Sequence, residues 1–316
     1  MQVSLGDKFA AISLRRASVE IDKPMALPGD LVVMPAAPVQ FDETWEKWLG
    51  SIQAEAISKA NLVILATAPS TRAEVLDQEN SDLEQRVFGF LYGMLFMGMP
   101  LFEDGFAFTG ANVNGTPNIR SIGRLDGFQV TYHGRPFTFL EQHLATAYEL
   151  YVALSDLWQT RGSYRRLKRG IDAFLQGLKE DLCYYRIHQF CRSLEALILP
   201  SPGRTAKQFS ARCQTLAAAK GIVSILDNIY DLRCRVEHLH EFDDFRPGET
   251  PDARDDLIAL RTRQAEAIAR AAYRCVLSSP AVRRIFLDDE AIGAFWQQPA
   301  DVRSGQWGTR VDVTSA

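Results

Sequence analysis

The stretch Ser224–His240, SILDNIYDLRCRVEHLH, reads as one amphipathic helix, because Ile225, Ile229, Leu232, Val236 and Leu239 recur at alternating steps of four and three. That spacing lays an apolar stripe along a helix. Arg233 and His238 fall off the stripe. Five residues at ~100° each put them about 140° apart on a regular helix. One straight helix therefore does not aim both side chains at a single target.

Working outward, the flanks are also helical. Tyr164–Leu178 and Asp181–Leu199 carry apolar residues at helical spacing, and Pro200, Pro202 and Gly203 end the second. Gln208–Lys220 reads as a shorter helix. Glu241–Asp256, acidic and holding Pro247, Gly248 and Pro251, reads as a loop, and Leu257–Leu277 as an Ala-rich helix with Pro280–Trp296 adding one or two more. Leu140–Trp158 leads into this half, and a junction falls near residues 159–163.

Before that junction, strands and helices mix. Phe9–Ile21, Asp30–Met34, Leu62–Thr67, Ala107–Thr109, Ile119–Ile122 and Phe128–Tyr132 read as strands. Asp42–Lys59 reads as a helix capped by Asp42, with Trp45, Trp48, Leu49 and Ile52 on its buried side. Val87–Met99 is apolar but too short to span a bilayer, and Gly89, Gly93 and Gly98 interrupt it before Pro100, so a buried helix is expected and no membrane partner. The expected fold class is α+β: a mixed α/β N-terminal domain over 1–158, an all-α bundle over 159–298, and a polar tail over 299–316, either mobile or docked.

At 316 residues, 47% hydrophobic and 23% charged, the chain has the composition of a globular protein with a sizeable core. Cys183, Cys191, Cys213, Cys234 and Cys275 are odd in number and form no CxxC, which argues for reduced thiols in a cytoplasmic setting and against a disulfide framework or zinc site. No Walker or GxGxxG sequence is present. The formal charge of −4 hides an asymmetry: residues 159–236 carry fourteen Lys and Arg against six Asp and Glu. Only that region suits a polyanion.

Two short motifs, Tyr230-Asp231-Leu232-Arg233 followed by His238, and Leu194-Glu195-Ala196-Leu197 on the preceding long helix, resemble the HEPN superfamily, most closely its Apea-like branch. The resemblance covers roughly residues 160–298. It implies a helical bundle acting as a homodimer through the motif helix, and metal-independent endoribonuclease activity of toxin or anti-phage type, with Arg233 and His238 catalytic. Cys234 stands where the family usually has Ser or Asn, and Leu239 where it usually has Gly. A HEPN module that binds RNA, nucleotide or a protein partner without cutting is the alternative.

The residue types fit the chemistry. Imidazole, with an ordinary pKa near ~6.5, takes a proton from the ribose 2′-hydroxyl or gives one to the leaving 5′-oxygen. Guanidinium holds the crowded phosphorane with a charge that does not titrate. No cofactor and no metal is expected. Tyr230, Arg235 and His240 are supporting candidates; so are Arg192 and Glu195, which share a stripe with His188. That stripe is either a solvated face with its own ion pair or the means by which Glu195 reaches Arg233. Arg233 has a plainer reading as a partner of Glu237 four residues on or of an acid on a neighbouring helix, and His238 as a half-buried polar residue near a helix end. Arg161, Arg165, Arg166, Lys168 and Arg169 are candidates for RNA backbone contacts.

Overall fold

A computed structural model describes residues 3–35, 49–98, 102, 104–115, 117–125, 137–242, 244–246 and 248–314. The chain is α+β and forms two compact units that part between Val152 and Ala153.

In the first unit, β1 (Asp7–Arg15), β2 (Val19–Glu20), β3 (Met25–Leu27) and β4 (Leu31–Met34) precede α1 (Ser51–Ser58) and β5 (Ala60–Pro69). Next come α2 (Gln78–Met97), β6 (Asp104–Asn112), β7 (Pro117–Arg124), β8 (Phe139–Leu140) and the start of α3 (Glu141–Gln159). An antiparallel sheet runs in the order β3-β4-β5-β1-β6-β7. β1 lies inside it and is buried on both faces, which is why its sequence reads as a near-continuous apolar run. Ala10, Ile12 and Leu14 join the core with Val87, Phe90 and Met94 of α2, while Phe9 and Ala11 face Ile57 of α1 and Phe108.

The single strand expected over 9–21 breaks at Arg16, whose φ is 54°. The Asn61 side chain fills the break: its amide donates to the Ala17 carbonyl at 2.8 Å and its oxygen accepts from the Ala17 N–H at 2.7 Å. The glycines of the apolar helix serve close packing. A Cβ at Gly93 would stand 2.2 Å from the Ala147 carbonyl oxygen. Ile52, expected on the buried side of its helix, is 81% exposed. Asp42, Trp45, Trp48 and the strand expected over 128–132 lie outside the described residues.

The second unit holds the end of α3, then α4 (Arg165–Lys179), α5 (Cys183–Ile198), α6 (Thr205–Cys213), β9 (Ala217–Ala218), α7 (Ile222–Glu237) and α8 (Pro251–Ser278). α9 (Pro280–Arg284), α10 (Asp289–Gln297), α11 (Ala300–Trp307) and β10 (Val311–Asp312) complete it. α5 is the central rod, packed on α4, α7 and α8. Its Ile187, Phe190, Leu194 and Leu197 are fully buried, as are Leu226, Ile229 and Leu232 of α7 and Ile268 and Tyr273 of α8. Where α4 approaches closely, Gly170 leaves room for the Tyr273 hydroxyl, which donates to the Ser193 carbonyl at 2.8 Å.

Two sequence readings change here, and one left open is decided. The helix expected over 208–220 begins at Thr205 and stops at Cys213, since Ala217–Ala218 pair in parallel with Val311–Asp312. The helix expected from Leu257 starts at Pro251, with the Thr250 side chain accepting from the Ala253 N–H and proline in the first turn. The segment after residue 299 is docked: Trp307 and Val313 are buried, and Gln264 donates to the Val313 carbonyl.

Candidate functional site

α7 supplies Arg233. The helix forms because Ile225, Leu226, Ile229 and Leu232 bury one face, and it ends at Glu237 because Leu239 takes left-handed backbone at φ 53°. His238 is therefore the C-cap and not a helical residue, its N–H donating to the Cys234 carbonyl at 3.0 Å. The expected apolar stripe stops short: Leu239 is 90% exposed. Left-handed backbone costs a residue with a Cβ about 1–2 kcal/mol, and glycine adopts it freely.

α5 supplies the partners. Glu195 Oε1 lies 3.5 Å from Arg233 Nε, with both side chains less than a fifth exposed. Tyr230, one turn earlier on α7, places its ring 5.8 Å from the Arg233 guanidinium carbon, close enough for a cation–π contribution. Burial pushes the Glu195 carboxyl above its ordinary range, against the opposing pull of Arg233. Glu237 is taken by His188, Nε2 to Oε2 at 2.5 Å, a hydrogen bond that holds the Glu237 carboxyl below its ordinary range. The plain i,i+4 pairing of Arg233 with Glu237 is thus replaced by two bridges between α5 and α7. No internal ion pair forms along the 188–192–195 stripe; Arg192 instead approaches Gln189 at 3.5 Å.

His238 and His240 are exposed at the end of α7, their ring centroids 5.7 Å apart. Arg235 is held elsewhere, by Asp231 at 3.1 Å and by the Glu241 carbonyl at 3.0 Å. Cys234 is a half-buried free thiol. Among the described residues no group of three or more His, Cys, Asp and Glu is placed to hold a metal ion. No described helix is long and apolar enough to cross a membrane.

The basic cluster divides. Arg165, Arg166 and Arg169 line a cleft of about 630 Å³ together with Arg192, Glu195 and Asp289. Arg166 grips Asp289 with two hydrogen bonds of 2.8 Å. Arg161 and Lys168 are not on its wall, and the Lys168 ammonium donates to the Thr160 carbonyl. His238 and Arg233 are not among the lining residues either; Glu195 is the residue common to the cleft and the Arg233 pair. Sequence reading missed Asp289 and the His188–Glu237 bridge. Asp288 and Asp289 are readable as an acidic helix start, but nothing in the sequence links them to Arg166.

No protein-family model, curated protein or solved structure matches this chain.

Proposed function

We propose that the helical unit is a HEPN-type, metal-independent endoribonuclease of toxin or phage-defence kind that works as a homodimer. The observation that carries this reading is the setting of Arg233. It is held by Glu195 across from α5 and by Tyr230 from its own helix, while His238 stands exposed at the helix end beyond it. A guanidinium positioned in this way keeps one orientation at little entropic cost, and an exposed imidazole is free to meet substrate. The backbone at Leu239 adds support, because the position where the resembling family usually has glycine has the φ that glycine favours.

In the proposed reaction one imidazole takes the 2′-hydroxyl proton as that oxygen attacks phosphorus. Arg233 stabilises the charge on the phosphorane, the P–O5′ bond breaks, and the same imidazole, now protonated, gives its proton to the leaving oxygen. The products are a 2′,3′-cyclic phosphate and a 5′-hydroxyl. One imidazole and one guanidinium, from different copies, meet at each phosphate when two copies pack their α7 ends together, which overcomes the angular separation on one helix. Purified protein incubated with RNA in EDTA tests the reading: the wild type should cut, and His238→Ala and Arg233→Ala should not. Undiminished cutting by both variants would exclude these residues.

The second reading, a module that binds RNA, nucleotide or a protein partner without cutting, is favoured by the separate arginine-lined cleft, whose wall lacks His238. Salt-sensitive RNA binding with no cleavage would support it.

A further inference from the structure

Arg165, Arg169 and Arg192 have no carboxylate within ion-pairing distance among the described residues, yet they converge on one cleft. Of its acids, Asp289 is committed to Arg166, and the Asp288 side chain accepts from the Ala291 N–H at the start of α10. Glu195 is committed to Arg233 on the far side. Four arginines on the wall thus face three carboxylates, Glu195, Asp288 and Asp289, with Arg169 also acting on Asp289 and Arg192 on Glu195, so the cleft keeps a small net positive charge.

The backbone adds to it. α4 begins at the mouth, its N-cap Tyr164 has φ 59° and makes no side-chain cap, and the Tyr164 N–H is used by the Leu287 carbonyl at 2.7 Å. The first-turn N–H groups of a fifteen-residue helix thus lie beside two of its own arginines. A volume of about 630 Å³ is in the range of small-ligand pockets.

We propose that this cleft is a phosphate-binding site, with Arg165, Arg169 and Arg192 as ligands and the N-terminus of α4 behind them. Guanidinium forks match phosphate oxygens two at a time. Asp289 regulates the site's strength by occupying Arg166, which would otherwise be a fourth ligand. The inference does not depend on RNA cleavage: the site lies within one protomer, and binding and cutting are read separately.

The test is a binding titration of the full-length protein with inorganic pyrophosphate by calorimetry and with a short single-stranded RNA oligonucleotide by fluorescence anisotropy. Binding of pyrophosphate identifies a free phosphate compound as the ligand source; binding of the oligonucleotide alone identifies a phosphodiester strand. In either case Arg165→Ala with Arg169→Ala should weaken binding at least about tenfold, and Arg161→Ala, off the cleft wall, should not. Asp289→Asn should tighten binding by freeing Arg166, an effect that general loss of structure would not produce. Failure of the wild type to bind either probe, or equal binding by the double variant, would overturn the proposal.

Discussion

Glu195 on α5 and Arg233 on α7 face each other with Oε1 and Nε 3.5 Å apart, and neither atom has a hydrogen-bond partner among the described residues. The pair is electrostatic more than hydrogen-bonded, and it is largely withdrawn from solvent. Removing one member leaves the other charge half-buried without compensation. Glu195→Ala is expected to cost about 1–3 kcal/mol of stability. A double-mutant cycle with Arg233→Ala, read by chemical denaturation, should give a coupling of roughly 0.5–2 kcal/mol. Strict additivity would show that the pair does not hold α5 to α7.

Leu239 offers a substitution that should stabilise. Its side chain is almost fully exposed and its backbone is left-handed, so Leu239→Gly removes strain and loses no packing. Relief of about 1–2 kcal/mol, offset by about 0.5–1 kcal/mol of extra unfolded-state freedom, leaves a net gain of about 0.5–1 kcal/mol. Leu239→Val should lower the thermal midpoint instead. A lower midpoint for the glycine variant would mean that Leu239 makes a contact that offsets its strain.

The His188–Glu237 bridge gives the acid limb of stability a direction. His188 holds the Glu237 carboxyl below its ordinary value of 4.5, so the unfolded chain binds that proton more readily than the native one. The contribution is complete above the ordinary value and is lost as pH falls through the depressed one. Glu237→Gln should flatten the fall in thermal midpoint below that pH. An unchanged acid limb would show that the bridge contributes nothing.

Gly170 and Tyr273 make opposite packing demands at the crossing of α4, α5 and α8. A Cβ at Gly170 would stand 2.0 Å from the Tyr273 hydroxyl and 2.6 Å from the Ala196 Cβ. Gly170→Ala is expected to destabilise by about 1–3 kcal/mol, and Tyr273→Phe by about 1 kcal/mol through the lost bond to Ser193. Because Tyr273→Phe removes the hydroxyl that the new methyl would strike, the double variant should be less destabilised than the sum, as measured by urea denaturation.

The sequence carried most of this architecture wherever periodicity was strong. Ile225, Ile229 and Leu232 marked α7, and the apolar run from Phe9 marked a strand, though not that both its faces are buried. It failed where a single local interaction overrode the pattern. Arg16 and Leu239 turn left-handed without a glycine to signal it. Ala217–Ala218 became a strand only because Val311–Asp312, far along the chain, supplied the partner. Glu195 reaching Arg233 was readable as one of two options for its stripe. The cleft was not, since it depends on Asp289 and Arg192 meeting α4 in space.

The most direct measurement mixes two inactive proteins. Arg233→Ala and His238→Ala subunits, unfolded and refolded together, are assayed for RNA cleavage in EDTA beside each variant refolded alone. If the arginine of one copy works with the histidine of the other, half the dimers are mixed and each has one intact site, so about a quarter of wild-type activity should return. A mixture as inactive as its parts, beside an active refolded wild type, would contradict the shared cleft.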